Sequence, residues 1–276
     1  MRTATVIGWP ISHSRSPLIH GYWLKRYAIE GVYERRPVRP EELPEFVNLL
    51  RRGEFAGSNV TVPHKEAVLA LVDDADEIVR AIGAANTLWT ESGRVLATNT
   101  DAHGFLANLA GAFPDWRRGA GVPLVIGAGG AARAVLYSLK DAGCEHIRLT
   151  NRSPGRAQDL ARHFGPGIEL VDWNERAASL GDVGLLVNTT TLGMASNAPL
   201  ELSLDGLPAT AIVYDLVYVP MRTPLLIAAE GRGLRTLGGL GMLLQQAAVG
   251  FERWFGRRPE VTEELFRLAA ADIEAR

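Results

Sequence analysis

The sequence predicts an α/β protein built from two open, twisted α/β domains with a cleft between them. Two observations favour this fold class. Short apolar runs that are typical of buried parallel strands alternate with segments of helical periodicity along most of the chain. In addition, 276 residues with 47% hydrophobic content can bury the core of one large domain or two ordinary domains. Such alternation indicates mainly parallel sheets that are covered by helices.

The first 113 residues already alternate between strand and helix patterns. A strand at 6–7 leads into a serine-rich loop, and a helix follows to about residue 30, with Pro17 at its first position and Ser16 as its cap. A second helix is predicted at 41–50 and a strand at 57–62. A further helix is predicted from about residue 65. It is followed by a strand at 86–90, a second strand that ends at residue 98, and a helix after Asp101.

The second domain is predicted from the stretch 124–153, which has the pattern strand, glycine turn, helix, strand. After the apolar residues 124–126 the spacing is G-x-G-x-x-A, formed by Gly127, Ala128, Gly129, Gly130, Ala131 and Ala132. The first glycine allows a tight turn, the second lets the backbone approach a diphosphate, and the small third residue lets helix and strand pack closely. A diphosphate would meet backbone N–H groups at the start of the following helix. The stretch therefore predicts a Rossmann-type dinucleotide-binding domain.

The end of the next strand, at 147–150, indicates which dinucleotide binds. An NAD site usually has an acidic residue here, which accepts hydrogen bonds from the ribose hydroxyls. This chain instead has Asn151, Arg152 and Ser153, with Arg156 on the following helix. Guanidinium groups suit the dianionic 2′-phosphate of NADP. We therefore expect NADP as the cofactor.

The remaining elements continue this pattern. A helix is predicted from residue 154 to Gly165, strands at 185–187 and 212–215, and a helix from residue 224. Helices at 243–255 and 261–273 follow the nucleotide-binding part, and we expect them to return to the first domain. The predicted domains are residues 1–101 plus 240–276 for the substrate and 102–239 for NADP.

Polar residues stand at the ends of successive strands of the first domain, and ligands of open α/β sheets bind outside the carboxyl ends of the strands. They are Ser14, Ser16, Asn59, Thr61, Lys65, Asn86, Asn99 and Asp101. This set suits a small polyhydroxylated acid better than an apolar ligand. Serine hydroxyls at a helix N-terminus can hold a carboxylate, and a lysine and an aspartate near one hydroxyl can pass a proton during hydride transfer.

Each of these residues also has a purely structural interpretation. Ser14 and Ser16 can form a turn and a helix cap, Lys65 can be a solvated helix residue, and Asp101 can be an N-cap. Asn86 can tie a loop backbone. Their joint occurrence at successive strand ends, in a chain that also has a dinucleotide motif, favours the functional interpretation.

Composition excludes several other classes of protein. With a net charge of −2, the chain has no overall positive charge that would attract nucleic acid or an anionic membrane. No apolar run is long enough to span a bilayer. The N-terminus resembles a first strand rather than a signal peptide. The single cysteine, Cys144, excludes an intramolecular disulfide and a multi-cysteine metal site. We expect a cytoplasmic enzyme with no metal, no nucleic-acid partner and no membrane contact.

Six motifs are spread over nearly the whole chain: PISHSRSP at 10–17, NVTVPHK at 59–65, GAANT at 83–87, NTD at 99–101, GAGGA at 127–131 and GML at 241–243. In their order and spacing they resemble the motifs of the shikimate dehydrogenase family. The resemblance implies a two-domain enzyme that interconverts 3-dehydroshikimate and shikimate with NADP, in aromatic amino-acid biosynthesis. It leaves open whether the chain is a monomer or a homodimer.

The resemblance also implies a role for each matching position. Lys65 and Asp101 would be the catalytic pair, and the substrate would contact them together with Ser14, Ser16, Thr61, Asn86, Tyr218 and Gln246. The cofactor would contact Gly127, Ala128, Gly129, Gly130, Ala131, Asn151, Arg152, Ser153, Arg156, Thr189, Gly239 and Met242. His64 stands where the family frequently has phenylalanine, beside Lys65.

Two other functions are compatible with parts of this pattern. A quinate or quinate/shikimate dehydrogenase of the same fold would be favoured by NAD use, and Arg152 with Arg156 argue against that. A catalytically silent sensor of shikimate-like acids would be expected to lose Lys65 or Asp101 and to carry an extra domain. Both residues are present here.

Overall fold

The computed structural model describes residues 1–117, 121–195 and 197–275, and they form two compact units. The first unit contains Met1–Gly104 and Leu244–Ala269. The second contains Phe105–Leu243 and the residues from Ala270 onward. Each unit has a six-stranded sheet with helices, so the α/β class that the sequence predicts is confirmed.

The sheet of the first unit is mixed. Its strands are β1 (Arg2–Gly8), β2 (Gly31–Pro37), β3 (Gly57–Val60), β4 (Asp74–Ala75), β5 (Thr87–Glu91) and β6 (Arg94–Thr98). Their order is β2-β1-β3-β5-β6-β4, and only the pairings of β5 with β3 and β6 are antiparallel. The carboxyl ends of β1, β3 and β6 therefore lie at one edge of the sheet, where the predicted substrate residues follow them.

The sheet of the second unit is entirely parallel. Its strands are β7 (Val122–Ile126), β8 (Ile147–Thr150), β9 (Ile168–Leu170), β10 (Val183–Asn188), β11 (Ile212–Asp215) and β12 (Arg235–Gly238). Their order is β12-β11-β10-β7-β8-β9. This is the Rossmann order, in which the chain reverses direction across the sheet between β7 and β10, and ligands bind at the carboxyl ends beside that point.

Helices lie between the strands along the chain, and the last two follow β12. They are α1 (Ser16–Arg26), α2 (Leu43–Arg51), α3 (Glu77–Ile82), α4 (Asp101–Ala112), α5 (Gly130–Asp141), α6 (Pro154–Phe164), α7 (Pro224–Gly231), α8 (Leu240–Phe255) and α9 (Glu263–Glu274). Within the first unit, α8 packs tightly on the sheet. The Trp254 indole Nε1–H donates to the carbonyl of Leu88 at 2.8 Å. A Cβ atom on Gly57 would lie 2.0 Å from that indole nitrogen, so the strand needs glycine there.

Several predicted elements differ from the structure. The helix predicted to residue 30 ends at Arg26, and Gly31–Pro37 forms β2, a strand that the sequence did not predict. The helix predicted from residue 65 is only a 3₁₀ turn at Ala67–Ala70, a short element that is common as a connector. Ser16 is the first residue of α1 rather than its cap, because Arg15 occupies the N-cap position.

Candidate active site

Two buried serines follow β1 and lie side by side. The Ser14 hydroxyl donates to the Ser16 hydroxyl at 3.3 Å and accepts from the Ser16 backbone N–H at 3.3 Å. From β2, the Arg35 Nε–H donates to the Ser14 carbonyl at 2.8 Å and holds the loop in place. Burial and the positive charges of Arg15 and Arg35 lower the pKa of His13. The serine pair therefore lies in a positive environment that suits a carboxylate.

Lys65 and Asp101 form a largely buried ion pair. The Lys65 Nζ lies 2.5 Å from the Asp101 Oδ2, and the two side chains are 14% and 8% exposed. Lys65 stands on the turn after β3, where its carbonyl accepts from the Ala85 backbone N–H at 2.8 Å. Asp101 is the first residue of α4, and the Asn99 side chain caps it by accepting from its N–H at 3.0 Å. The pair can therefore hold and transfer a proton at a site with little water.

Asn86 links this ion pair to α8. Its Nδ2 amide donates to the Asp101 Oδ1 at 2.9 Å and lies 3.2 Å from the Gln246 Oε1. The hydroxyl of Thr100 donates to the same Gln246 oxygen at 3.1 Å. The structure thus brings together four predicted site residues, Lys65, Asp101, Asn86 and Gln246.

Tyr33 connects this group to the serines, and it was not among the predicted site residues because β2 was not predicted. The Tyr33 hydroxyl donates to the Asn59 Oδ1 at 2.6 Å, and the Asn59 Nδ2 donates to the Asn86 carbonyl at 3.2 Å. Burial raises the pKa of Tyr33 well above its ordinary value, and a hydrogen bond with Ser16 opposes that shift. The Tyr33 ring is fixed by stacking on buried His20, with ring centroids 3.9 Å apart.

Two more predicted positions lie on the turn that carries Lys65. Thr61 is partly exposed, and its backbone N–H donates to the Ile7 carbonyl at 3.0 Å. His64 is fully buried, and its Nε2 lies within hydrogen-bonding distance, 2.7 Å, of the Val38 carbonyl. His64 therefore ties the Lys65 turn to the end of β2, which phenylalanine could not do.

In the second unit, the glycine turn between β7 and α5 has the shape that a diphosphate site needs. Gly127 has a φ of +117°, and a Cβ atom there would lie 2.4 Å from the Thr189 hydroxyl oxygen. Gly129 is the N-cap of α5, with no side-chain cap, and a Cβ there would meet nothing within 4 Å. The open space above Gly129 and the start of the helix dipole fit the diphosphate of a dinucleotide.

The residues that follow β8 are exposed and basic. Arg152, Ser153 and Arg156 are exposed, and the Asn151 Nδ2 donates to the Ser153 carbonyl at 2.9 Å. Ser153 is the N-cap of α6, and no side-chain cap hydrogen bond forms there. These positions lie beside the glycine turn, because β7 and β8 are adjacent parallel strands. Their chemistry fits a ribose 2′-phosphate.

Thr189, Tyr218, Gly239 and Met242 all belong to the second unit, near the carboxyl ends of β10, β11 and β12. The Thr189 hydroxyl donates to the Ile126 carbonyl at 2.7 Å, immediately before the glycine turn. A Cβ atom on Gly239 would lie 2.0 Å from the Leu216 carbonyl oxygen, so glycine is required for this approach. Met242 is buried in the core of this unit.

Within residues 1–117, 121–195 and 197–275 we find no group of three or more His, Cys, Asp or Glu side chains that could hold a metal ion. Over the same ranges, no helix is long and apolar enough to cross a membrane.

Comparison with known families matches three parts of the chain. Residues 6–88 match the shikimate dehydrogenase substrate binding domain, and residues 119–194 match shikimate / quinate 5-dehydrogenase. Residues 239–263 match the shikimate 5′-dehydrogenase C-terminal domain. The matched regions contain the Lys65 turn, the glycine turn and the start of α8.

Individual relatives match over almost their full length. The chain is 53% identical to shikimate dehydrogenase (NADP(+)) of Paramagnetospirillum magneticum, covering 96% of each chain. It is 49% identical to the enzyme of that name from Azorhizobium caulinodans, covering 100% of this chain and 98% of the relative. A crystal structure of shikimate 5-dehydrogenase from Thermus thermophilus in complex with NADP(H) and shikimate is 38% identical, with a TM-score of 0.87, covering 99% of this chain and 100% of that one.

Proposed function

Since the chain belongs to the shikimate dehydrogenase family, we propose that Lys65 and Asp101 transfer the proton in its reaction. The chain is an oxidoreductase that uses NADP for the reversible reduction of 3-dehydroshikimate to shikimate in aromatic amino-acid biosynthesis. Bound NADPH supplies the hydride, so the protein must supply the proton that the carbonyl oxygen gains. The observation that carries the proposal is the 2.5 Å contact between the Lys65 Nζ and the Asp101 carboxylate.

The two residues have different parts in the proton transfer. Lys65 is the donor during reduction, because an amine carries a transferable proton at neutral pH and an ordinary carboxyl group does not. Asp101 holds the ammonium in place and accepts a hydrogen bond from the hydroxyl that forms. The low exposure of both side chains supports this assignment, since excluding water strengthens the interactions that stabilise the developing alkoxide.

We propose that the polar residues around this pair bind the substrate. The hydroxyls of Ser14 and Ser16 hold the carboxylate, supported by their proximity and by the positive charge around them. The hydroxyls of the substrate ring contact Thr61, Asn86 and Gln246, and Tyr218 lies nearby. The hydrogen-bonded group of Asn86, Asp101 and Gln246 supports this proposal, because it presents both donors and acceptors.

We propose that the glycine turn and the ends of β8, β10 and β12 bind NADP. The diphosphate contacts the N-terminus of α5, and the 2′-phosphate contacts Arg152 and Arg156. The full set of proposed cofactor contacts is Gly127, Ala128, Gly129, Gly130, Ala131, Asn151, Arg152, Ser153, Arg156, Thr189, Gly239 and Met242. The shape of the turn at Gly127 and Gly129 supports the diphosphate position.

The assignment of functions to parts of the chain is also a proposal. Residues 1–101 with 240–276 form the substrate domain, and residues 102–239 form the NADP domain. The enzyme acts in the cytoplasm as a monomer or a homodimer and binds no nucleic acid. The net charge of −2 supports the last point.

The experiment that tests the function compares turnover of shikimate and of quinate, each with NADP and with NAD. We expect the highest kcat/KM for shikimate with NADP. A higher kcat/KM for quinate with NAD would favour the quinate dehydrogenase alternative. Absence of turnover with every pair, although NADP binds in a titration, would favour a sensor.

A further inference from the structure

Three segments of the second unit converge on one buried carboxylate, that of Asp215 at the end of β11. Its Oδ1 accepts hydrogen bonds from the Asn188 Nδ2 at 2.9 Å and from the Val217 backbone N–H at 3.1 Å. Its Oδ2 accepts from the Thr223 hydroxyl at 2.6 Å. All three side chains, of Asp215, Asn188 and Thr223, are fully buried. The carboxylate therefore joins the end of β10, the loop after β11 and the N-cap of α7.

The contact with Asn188 fixes the loop that carries Thr189. The Asn188 Oδ1 accepts from the backbone N–H of Thr190 at 3.0 Å and from its hydroxyl at 2.8 Å. Thr189 itself donates to the Ile126 carbonyl through its hydroxyl at 2.7 Å and its backbone N–H at 2.9 Å. Through the Asn188 side chain, Asp215 therefore holds in place the loop of Thr189 and Thr190, which lies beside the glycine turn.

The contact with Val217 fixes two further positions. Val217 precedes Tyr218, and the carbonyl of Val217 accepts from the backbone N–H of Gly239 at 3.3 Å. The backbone around Val217 is therefore held from both sides, by Asp215 and by Gly239. A shift of this backbone would move Tyr218 and the end of β12 together.

We propose that Asp215 is a positioning residue for the dinucleotide reaction: it touches neither NADP nor substrate, and its three hydrogen bonds hold the loops of Thr189, Tyr218 and Gly239 in their binding arrangement. The inference rests on the roles proposed above for those three residues. Loops that contact ligands lose affinity when they are displaced by as little as about 1 Å or are free to move, so a buried anchor at their common base raises affinity and turnover.

The energetics of the site agree with this role. Burial raises the pKa of Asp215 from 3.8 to about 6, although the three hydrogen bonds act in the opposite direction. At neutral pH the carboxylate is ionised, and in this position that state is less stable than it would be in water. A group that reduces stability yet fixes the base of ligand-contacting loops is typical of functional sites.

Two disruptive variants and two matched variants test the proposal. Asp215→Ala removes all three contacts, and Thr223→Val removes one, whereas Thr223→Ser keeps the hydroxyl. Val213→Ala is the control, because Val213 is buried on the same face of β11 but belongs to the apolar core. The measurements are the dissociation constant of NADP by titration, the KM for shikimate and the melting temperature.

We expect Asp215→Ala to raise the NADP dissociation constant and the shikimate KM by about tenfold or more. Thr223→Val should raise the NADP dissociation constant and the shikimate KM by a smaller factor. Thr223→Ser, which keeps the hydroxyl, should have values within about twofold of wild type. Val213→Ala should lower the melting temperature and leave both constants within about twofold, because it creates a cavity without moving the loops.

Three results would overturn the positioning role. The first is a lowered melting temperature with unchanged constants in Asp215→Ala. The second is a rise of the NADP dissociation constant and the shikimate KM in Val213→Ala that equals the rise in Asp215→Ala. It would mean that any destabilisation of β11 has this effect. The third result applies if Asp215→Ala does not fold. It is that Thr223→Val and Thr223→Ser have the same NADP dissociation constant and the same shikimate KM. Failure of the proposed function is separate, because it would appear in the wild-type enzyme as absence of shikimate turnover with NADP.

Discussion

At the scale of single residues, the proposed proton transfer depends on one amine, that of Lys65, which is held in a fixed orientation. The Lys65 Nζ is held 2.5 Å from Asp101, and Asp101 is itself fixed by Asn86 and by the start of α4. Because the proton moves only in the transition state, removal of the amine should lower kcat far more than it raises the KM.

We therefore predict that Lys65→Ala lowers kcat by at least about a hundredfold, the lower end of general acid–base contributions. The shikimate KM should change much less. Steady-state kinetics at saturating shikimate measure both quantities, and Lys25→Ala, at an exposed position of α1, is the control. A near-normal kcat with a large rise in KM would show that Lys65 only binds substrate.

At the same scale, we propose that Arg152 selects NADP over NAD. It is exposed after β8, and a hydrogen bond to a charged phosphate contributes about 1.5–3 kcal/mol. We predict that Arg152→Ala raises the KM for NADP by about tenfold or more and leaves the use of NAD little changed. Arg162→Ala, at an exposed position further along α6, is the control. Equal losses with both cofactors would assign Arg152 to another role.

At the scale of elements, the turn between β7 and α5 separates two requirements for glycine. Gly127 needs its positive φ of +117°, and a Cβ there would lie 2.4 Å from the Thr189 oxygen. Gly129 has a φ of −105° and a ψ of −170°, which any residue can adopt, and it faces open space. Gly127 is therefore required by the backbone conformation, whereas Gly129 is required only under the proposal that a diphosphate approaches the backbone there.

This difference gives a paired prediction. Gly127→Ala should cost about 1–3 kcal/mol of stability, because it strains the backbone, and should also weaken NADP binding. Gly129→Ala should keep the melting temperature of the wild type and lose NADP affinity, since the methyl group occupies the space of the diphosphate. Thermal unfolding and NADP titration distinguish the two. Wild-type NADP affinity in Gly129→Ala would contradict the proposed diphosphate position.

The elements also show what the sequence could and could not predict. The strands recognised from their apolar runs lie inside the two sheets, where both faces are covered. The strands that were missed, β2, β4, β9 and β12, are the ones at the sheet edges. Edge strands are short or polar, and β2 contains Glu34, Arg35 and Arg36, so they have no periodic apolar signal.

The difference between interior and edge strands also determined which site residues could be predicted from the sequence. Lys65 and Asp101 follow the interior strands β3 and β6, Asn86 immediately precedes the interior strand β5, and all three belong to recognisable motifs. Tyr33 was missed because it stands on the unrecognised strand β2, and Asp215 because nothing in its sequence neighbourhood distinguishes a buried anchor from an ordinary strand end. A hydrogen-bond network between distant segments is a property of the folded chain and has no local pattern.

At the scale of the whole molecule, stability depends on pH through Asp215. Its folded pKa of about 6 lies above the ordinary value of 3.8. Its protonation therefore favours the folded state most at pH values below 3.8, and this contribution is lost as the pH rises through about 6. The two values imply a change of about 3 kcal/mol over the complete titration, from a pH well below the lower pKa to a pH well above the higher one.

We predict that Asp215→Asn abolishes this pH dependence. The difference in unfolding free energy, variant minus wild type, should increase by about 2.4 kcal/mol between about pH 4 and pH 7, because only the wild type must bury a charge. Hydrogen exchange of the β11 amides at several pH values measures it within the second unit. A difference that stays constant with pH would mean that Asp215 does not titrate in this window.

The path of the chain has a consequence for biosynthesis. The sheet of the first unit is complete by residue 98, yet Trp254 of α8, which packs against Gly57 and Leu88, is made only after the entire second sheet. On the ribosome, the N-terminal part of the first unit therefore keeps an apolar face exposed until α8 has been made. The second unit is synthesised in the meantime and can complete its own core before the first unit does. The first unit therefore begins synthesis first but is completed last, and its N-terminal part keeps apolar surface exposed for longer during translation.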